Sequence, residues 1–280
     1  MKNFAILALS LFAGVVAKAQ QKMSCCAPSA TEAFSMLASD KSFVNSHAEP
    51  LPFTYHSAVG KEIVFHATDG SDAYGWEIHS VSPSNDYIFV IHEWWGLNDY
   101  IKQETEKLWK DIGHVNVIAI DLYDRKVAAT RDDAAKLVQE VREDRIISIL
   151  KGAINYVGPR AKIYTIGWCF GGGWSLQTTL MAGKQAAGCV MYYGMPEKDV
   201  EKLKTLHADV LGIFANKDDH ITPKIVDDFA ANMTLAGKKL TLKRYDAVHA
   251  FANPSNPDYD KAAGDDAYKA TLAFFKARTR

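Results

Sequence analysis

Short apolar runs that alternate with helical patterns limit the possible folds of this chain more than any other feature. Most of the runs lack polar alternation, which is typical of strands buried on both faces. This rhythm predicts a three-layer α/β fold, with a mostly parallel sheet and helices on both faces. The predicted strands are Tyr87–Ile91, Val115–Ile120, Ile163–Ile166, Ala187–Tyr193, Val210–Phe214 and Leu240–Tyr245. The predicted helices are Tyr100–Ile112, Asp132–Tyr156, Gly172–Ala182, Pro223–Leu235 and Tyr259–Lys276.

Two further segments precede this pattern. The strand-like stretches 61–67 and 73–80 are joined through Asp69-Gly70, which predicts an antiparallel hairpin at one edge of the sheet. Residues 20–52 form an extension with a short helical pattern around Phe34 and Leu37. We predict that this extension wraps the surface of a domain formed by residues 53–280.

The first residues carry the pattern of a secretory signal. Lys2 precedes an apolar run over 4–16, and Ala17-Lys18-Ala19 provides the small residues of a cleavage site. The pattern predicts residues 1–19 as a signal peptide and an exported protein, periplasmic or secreted. A lipid anchor on Cys25 is the alternative, but Lys22-Met23-Ser24 is a poor context for one. The apolar run is short for a membrane span, so no stable membrane insertion is expected.

Charge and cysteine content exclude several classes. The formal net charge of −1 gives no field that would recruit nucleic acid or an anionic membrane. The 4 cysteines are too few for a disulfide scaffold in a chain of this length. Cys189 lies in an apolar run and is interpreted as a small hydrophobic residue. Cys25 and Cys26 are interpreted as part of a flexible N-terminus, with binding of a soft metal as a lesser alternative.

Chemically active side chains follow the predicted strands directly. In parallel α/β sheets, ligands bind beyond the carboxyl ends of the strands. Acid, base and nucleophile candidates therefore converge on one edge of the sheet. They are His92, Glu93, Asp121, Arg125, Cys169, Asp218, Asp219, His220, Asp246 and His249.

The segment Gly167-Trp168-Cys169-Phe170-Gly171-Gly172 is the sharpest local signal. It matches a nucleophile elbow, a strained strand-to-helix turn with small residues two before and two after the nucleophile. The turn places the thiol near a helix N-terminus, which favours the thiolate, and directs the Phe170 amide towards an oxyanion hole. A glycine-rich turn around an inert cysteine is the alternative. A phosphate-binding loop is disfavoured because no Gly-Lys-Ser/Thr follows.

A thiol nucleophile needs a base, and the base needs an orienting carboxylate. Cys169, Asp218 and His249 follow the nucleophile–acid–histidine chain order of α/β-hydrolases. We prefer Asp218 as the acid because Ile221 can bury its loop, and Asp219 is the alternative.

These residues resemble the dienelactone hydrolase family, the carboxymethylenebutenolidases. The resemblance covers most of the chain after the extension. Its landmarks are His92-Glu93-Trp94-Trp95-Gly96-Leu97, Asp121-Leu122-Tyr123-Asp124-Arg125, the cysteine elbow, Lys217-Asp218 and His249-Ala250-Phe251.

The resemblance implies an α/β-hydrolase fold and a triad of Cys169, His249 and Asp218. It implies that Glu93 lies beside the thiol and helps to form the thiolate when substrate arrives. The amides of Trp94 and Phe170 would form the oxyanion hole. Arg125 matches a family arginine that holds the substrate carboxylate, and Tyr123 is assigned to the substrate site with it.

Two features bear on specificity. Asn253 stands where the family has a second carboxylate-binding arginine, so dienelactone is expected to bind poorly or not to be the substrate. Trp94, Trp95 and Trp168 are expected to make the mouth of the pocket bulky and aromatic. For each tryptophan taken by itself, packing in the core is an equally good explanation.

The predicted function is hydrolysis of a small ester or lactone through an acyl-thioester, without metal or cofactor. A broad carboxylesterase or thioesterase on the same scaffold is one alternative. A metal-dependent hydrolase using His92, Glu93, Asp218 and His220 is another, and a binding protein that has lost turnover is the third. The expected partner is a small molecule, and the expected state is a monomer or a weak dimer.

Overall fold

A computed structural model describes residues 29–279, apart from the side chain of Ala30. Its centre is one eight-stranded sheet with the strand order β1-β2-β4-β3-β5-β6-β7-β8. The strands are β1 (Lys61–His66), β2 (Asp72–Ile78), β3 (Asp86–Ile91), β4 (Asn116–Asp121), β5 (Lys162–Trp168), β6 (Ala186–Tyr192), β7 (Val210–Ala215) and β8 (Leu240–Tyr245).

The pairing confirms the predicted mixture of parallel and antiparallel strands. Strands β3 to β8 pair in parallel, while β1 and β2 form an antiparallel hairpin whose second strand pairs antiparallel with β4. Every residue of β4 and β7 is buried, as their unbroken apolar runs predict. The edge strand β8 instead alternates between half-buried and exposed positions.

The helices lie on both faces of the sheet, which confirms the three-layer α/β prediction. They are α1 (Ala30–Leu37), α2 (Lys41–Asn45), α3 (Asp99–Ile112), α4 (Arg131–Glu140), α5 (Glu143–Val157), α6 (Phe170–Ala182), α7 (Val200–Lys204), α8 (Pro223–Leu235) and α9 (Lys261–Lys276). Helix α3 packs against α9, and α5 packs against α6. The crossover from β3 to β4 runs in the opposite direction to that from β5 to β6, so right-handed connections place α3 and α6 on opposite faces.

The point where the strand order reverses lies at neighbouring strands β3 and β5. Chains leaving these two strands diverge to opposite faces and leave a crevice at their carboxyl ends. Glu93 follows β3, and Cys169 follows β5. The topology therefore brings these two predicted site residues together.

The predicted helix Asp132–Tyr156 is in fact two helices, α4 and α5. The chain is extended at Val141 and Arg142, with ψ angles of 126° and 136°. Glu143 and Asp144 then occupy the first turn of α5, where carboxylates interact favourably with the helix dipole. A continuous helical periodicity in the sequence did not reveal this break.

The N-terminal extension reaches the interior of the protein. Helix α1 begins with a capping box at Ser29 and Glu32 and packs against α6, whereas α2 packs against α4. Phe34 and Phe43 are 3% and 0% exposed. The extension therefore supplies core side chains in addition to the surface contacts that its sequence suggests.

Residues 1–28 lie outside the described part of the chain. The signal peptide, Cys25 and Cys26 fall there, so export and the state of these two cysteines stay predictions. Among the described residues, no helix is both long and apolar enough to span a membrane. Cys189 is buried in β6 as a free thiol, as its apolar surroundings suggest.

Candidate active site

Cys169 occupies a strained turn between β5 and α6. Its φ of 54° lies in the left-handed region, which is unfavourable for a side chain with a Cβ atom. The flanking glycines make the turn sterically feasible. A Cβ on Gly167 would lie 2.1 Å from the carbonyl oxygen of Gly171, and one on Gly171 would lie 2.3 Å from that of His92. The local structure is therefore the nucleophile elbow that the sequence predicts.

Cys169, His249 and Asp218 form a continuous hydrogen-bonded line. The distance from Cys169 Sγ to His249 Nε2 is 3.2 Å, and that from His249 Nδ1 to Asp218 Oδ2 is 2.5 Å. The other oxygen of Asp218 accepts hydrogen bonds from the backbone N–H groups of His220 and Ile221. Asp219 is exposed, so the carboxylate that contacts His249 is Asp218.

Cys169 and His249 are both buried and lie within hydrogen-bond distance of each other. Burial raises the pKa of the Cys169 thiol, although His249 acts in the opposite direction. Burial by itself lowers the pKa of His249, but the Asp218 carboxylate and the Cys169 sulfur outweigh it and raise that pKa well above its usual value. Proton transfer from sulfur to imidazole therefore gives a thiolate–imidazolium pair that Asp218 stabilises.

One of the two backbone amides that the resemblance implies contacts the sulfur. The Phe170 N–H interacts with Cys169 and lowers its thiol pKa. Within the described loops and helix caps, neither the Trp94 nor the Phe170 N–H donates to a backbone carbonyl. The Phe170 N–H is therefore positioned to donate to an oxyanion beside Cys169.

Glu93 is a buried carboxyl group at the end of β3, near the imidazole of His249. Burial raises its pKa to about 7, although His249 and a hydrogen bond from Asn253 lower it. Asn253 Nδ2 donates to Glu93 Oε2 at 2.6 Å, and its own Oδ1 accepts from the N–H and hydroxyl of Ser255. Asn253 thus holds the side chain of Glu93, an interaction that its position in the sequence did not predict.

We expect replacement of Glu93 by glutamine to change the pH dependence of stability. The pKa of Glu93 is raised from 4.5 to about 7, so the protonated form is favoured by folding. Its contribution to stability is complete below pH 4.5 and is lost as the pH rises through 7. The free energy of unfolding of Glu93→Gln, relative to wild type, should therefore increase by roughly 3 kcal/mol between pH 4.5 and pH 8.

Urea unfolding of both proteins at a series of pH values measures this difference. Groups common to the two proteins cancel, and the glutamine carbonyl can still accept from Asn253. Two stability curves that stay parallel across this pH range would show that folding does not raise the pKa of Glu93.

The aromatic residues divide between a pocket and the core. Trp95 and Trp168 line a surface pocket next to Glu93 and Asn253. Trp94 is fully buried, and its ring packs against that of Trp95. Trp95 and Trp168 therefore line the pocket, whereas Trp94 packs in the core.

Tyr123 and Arg125, both assigned to the substrate site from the sequence, occupy different parts of the structure. The Tyr123 ring is buried against Phe170, and its hydroxyl has no hydrogen-bond partner among the described residues. Arg125 is exposed, stacks on Tyr74 at 4.1 Å and lines a separate surface depression. The geometry thus places Tyr123 near the elbow and Arg125 away from the pocket beside Glu93.

His92 does not have the arrangement expected of a metal ligand. Its Nδ1 donates to the Glu93 carbonyl at 2.6 Å, and its Nε2 accepts from the Leu122 N–H at 3.0 Å. Both ring nitrogens are used to join the loops after β3 and β4. Among the described residues, the potential metal-binding groups do not include His92, Glu93, Asp218 and His220, the set that the alternative metal-dependent hydrolase would use.

The extension adds residues to the site that the sequence did not indicate. The rings of Phe43 and His47 lie 5.8 Å and 5.2 Å from the ring of His249. Tyr193, which follows β6, packs its ring 5.1 Å from the same imidazole. No motif marks these residues, and the extension is remote in sequence from every landmark of the elbow. Only its helical periodicity hinted that it could dock.

Comparison with known proteins agrees with this geometry. The model of the "Dienelactone hydrolase family" matches residues 75–279. Protein usf of Aquifex pyrophilus is 31% identical over 203 residues, which cover 68% of this chain and 87% of that protein. Carboxymethylenebutenolidase 1 of Cupriavidus pinatubonensis is 24% identical over 204 residues, covering 66% of this chain and 83% of the relative.

Solved structures show the same fold. The crystal structure of a dienelactone hydrolase-like promiscuous phosphotriesterase from metagenomic libraries superposes with a TM-score of 0.68 at 18% identity. The match covers 80% of this chain and all of that one, 100%. The family match spans the sheet from β2 onward, together with the elbow and the histidine loop. The chain therefore belongs to the dienelactone hydrolase family and is a hydrolase with the α/β-hydrolase fold.

Proposed function

We propose that the protein hydrolyses small esters or lactones with Cys169 as the nucleophile. The observation that carries this proposal is the line from Cys169 Sγ through the His249 imidazole to Asp218, with separations of 3.2 Å and 2.5 Å. It lies at the carboxyl edge of the sheet, the Phe170 N–H is beside the sulfur, and we propose the Trp94 N–H as the second donor. Nucleophile, base, orienting acid and oxyanion donors are thus assembled in one place.

In the first half-reaction, His249 takes the thiol proton and the thiolate attacks the ester carbonyl. The amides of Trp94 and Phe170 stabilise the resulting oxyanion. Collapse of this intermediate breaks the carbon–oxygen bond of the leaving alcohol, which receives the proton from His249, and leaves an acyl-thioester on Cys169.

In the second half-reaction, His249 removes a proton from water, and the hydroxide adds to the thioester carbonyl. The carbon–sulfur bond then breaks, the carboxylic acid is released, and the proton returns to the thiolate. Asp218 stays ionised throughout and stabilises the imidazolium form of His249.

The substrate class follows from the polar groups of the pocket. Asn253 is neutral and its amide is occupied by Glu93, while Arg125 lines a different depression. The pocket beside Glu93 is lined by Trp95 and Trp168, which offer apolar surface. We therefore propose that neutral esters with a small acyl group are better substrates than the anionic dienelactone.

The test uses the reduced, purified protein with p-nitrophenyl acetate and a dienelactone. We expect turnover of both in the presence of a chelator, with a higher kcat/KM for the acetate ester. Rapid acid quenching followed by mass spectrometry should find an acetyl group on the peptide that contains Cys169. Activity that disappears with the chelator, or an acetyl group on another residue, would overturn the mechanism. A higher kcat/KM for dienelactone would overturn the proposed preference alone.

A further inference from the structure

The extension places a second histidine against the catalytic pair. His47 is 6% exposed, and its ring lies 4.4 Å from the ring of Trp94 and 5.2 Å from that of His249. Its Nδ1 lies 2.7 Å from the carbonyl oxygen of Phe43, so the ring proton belongs on this nitrogen. The Nε2 atom therefore carries a lone pair. It is buried and has no hydrogen-bond partner among the described residues.

Three possible ligand atoms converge at this point. His47, Cys169 and His249 each offer one ligand atom, and the three atoms lie within 4.8 Å of one another. A tetrahedral zinc ion with bonds of about 2.1 Å to nitrogen and 2.3 Å to sulfur separates its ligand atoms by roughly 3.4 to 3.7 Å. A closing movement of about 1 Å would therefore complete three positions of such a site.

Both imidazoles are already oriented as metal ligands are. A metal-bound histidine usually donates its other N–H to a carboxylate or a backbone carbonyl, which fixes the ring and its tautomer. His249 Nδ1 is held by Asp218 at 2.5 Å, and His47 Nδ1 is held by the Phe43 carbonyl at 2.7 Å. In each ring this leaves Nε2 as the ligand atom.

The charges around the site also favour a cation. With its proton on Nδ1 and its Nε2 buried without a hydrogen-bond partner among the described residues, His47 is suited to bind as a neutral ligand. The buried carboxylate of Asp218 contacts His249 and supplies negative charge next to the site. The thiol of Cys169 becomes a thiolate when its proton leaves. Two nitrogens and one thiolate form a donor set that suits zinc rather than magnesium or calcium.

We propose that His47, Cys169 and His249 bind Zn²⁺, and that this ion reversibly blocks the enzyme. Binding replaces the thiol proton with a zinc–sulfur bond and releases one proton to solvent. The sulfur and Nε2 that hold the ion are the atoms that the hydrolysis requires. A zinc-bound protein therefore cannot form the acyl-thioester. The extension becomes the element that gives this cysteine hydrolase a metal-sensitive site.

Direct metal binding tests this inference without reliance on turnover. The probe is Zn²⁺ alone, measured by isothermal titration, with Co²⁺ as a spectroscopic substitute. The protein is the full mature chain under a non-thiol reductant, with Cys25 and Cys26 replaced by serine so that they bind no metal. We expect one equivalent of zinc, release of one proton, and a thiolate-to-cobalt charge-transfer band in the near ultraviolet.

The variants identify the ligands. His47→Gln, which is close in size, should weaken zinc binding at least tenfold, because it removes a ligand rather than an outer partner. Cys169→Ala should abolish the cobalt band. His207→Ala, at an exposed histidine away from the site, should bind as the parent does. Near-ultraviolet circular dichroism of each variant checks that it is folded.

Equal zinc affinity in the parent and in folded His47→Gln would overturn the site, as would a cobalt complex without the thiolate band. The outcome of the zinc experiment is independent of whether the proposed function is correct. Zinc binding that needs His47 in a protein without esterase activity would support the site and refute the function. Esterase activity without such binding would support the function and refute the site.

Discussion

Replacing Cys169 with alanine is expected to lower kcat/KM for p-nitrophenyl acetate by about 10⁴-fold to 10⁶-fold. The variant keeps the two amides of the oxyanion hole and the pocket but has no atom that can form the acyl intermediate. Its residual rate should therefore resemble the small enhancement that binding and oxyanion stabilisation give by themselves. Steady-state kinetics on the reduced proteins provide the measurement.

Cys189 provides a matched control for this substitution. It is also a buried free thiol, but its sulfur lies 3.5 Å from the hydroxyl of Ser175, inside the packing between β6 and α6. Cys189→Ala should cost stability, on the order of 1 kcal/mol, and leave kcat/KM close to the wild-type value. Equal losses in Cys169→Ala and Cys189→Ala, or no loss in either, would remove Cys169 from the chemistry.

Replacing Asp218 with alanine should lower kcat by about 10³-fold to 10⁴-fold, whereas Asp219→Ala should stay within a few-fold of wild type. Asp218 is buried, and its Oδ2 lies 2.5 Å from His249 Nδ1, whereas Asp219 faces solvent. Without the carboxylate, the imidazole loses the partner that fixes its orientation and stabilises its charged form. The two neighbouring positions thus form an internal comparison.

The pH profile of the Asp218 variant adds a second measurement. Burial acting without Asp218 lowers the pKa of His249, so the imidazole loses its proton at a lower pH than in wild type. The loss of activity should therefore be smallest at low pH and grow as the pH rises, because less imidazolium is then present as a general acid for the leaving alcohol. A large loss in Asp219→Ala together with a small one in Asp218→Ala would reverse the assignment of the acid.

The sequence predicted the central sheet well because its strands are buried on both faces. Runs such as Val115–Ile120 and Val210–Phe214 have one plausible environment, the interior of a parallel sheet. Chain order and the rule that ligands bind at the carboxyl ends of strands then indicated which polar residues would meet. The elbow was recognisable because only glycine fits at positions 167 and 171, where a Cβ would strike a carbonyl oxygen.

The contacts of the extension were not predictable in the same way. Phe43 and His47 lie in a short segment whose helix has only five residues, and local pattern does not say against what such a helix packs. The partner of Asn253 was also hidden, because a hydrogen bond to Glu93 joins residues 160 positions apart. Arg125 was instead assigned to the substrate site from its position after a predicted strand. That position did not determine where its long side chain points.

Because Trp94 is buried, its fluorescence can report whether the N-terminal extension is docked. Its indole touches the rings of Phe43 and His47, which belong to the extension, and those of its neighbour Trp95. Indole emission moves to longer wavelength when water reaches the ring, so undocking of the extension changes the colour of the fluorescence. Undocking of the extension can thus be followed in real time without a label, and the part due to Trp94 is the difference from a Trp94→Phe protein.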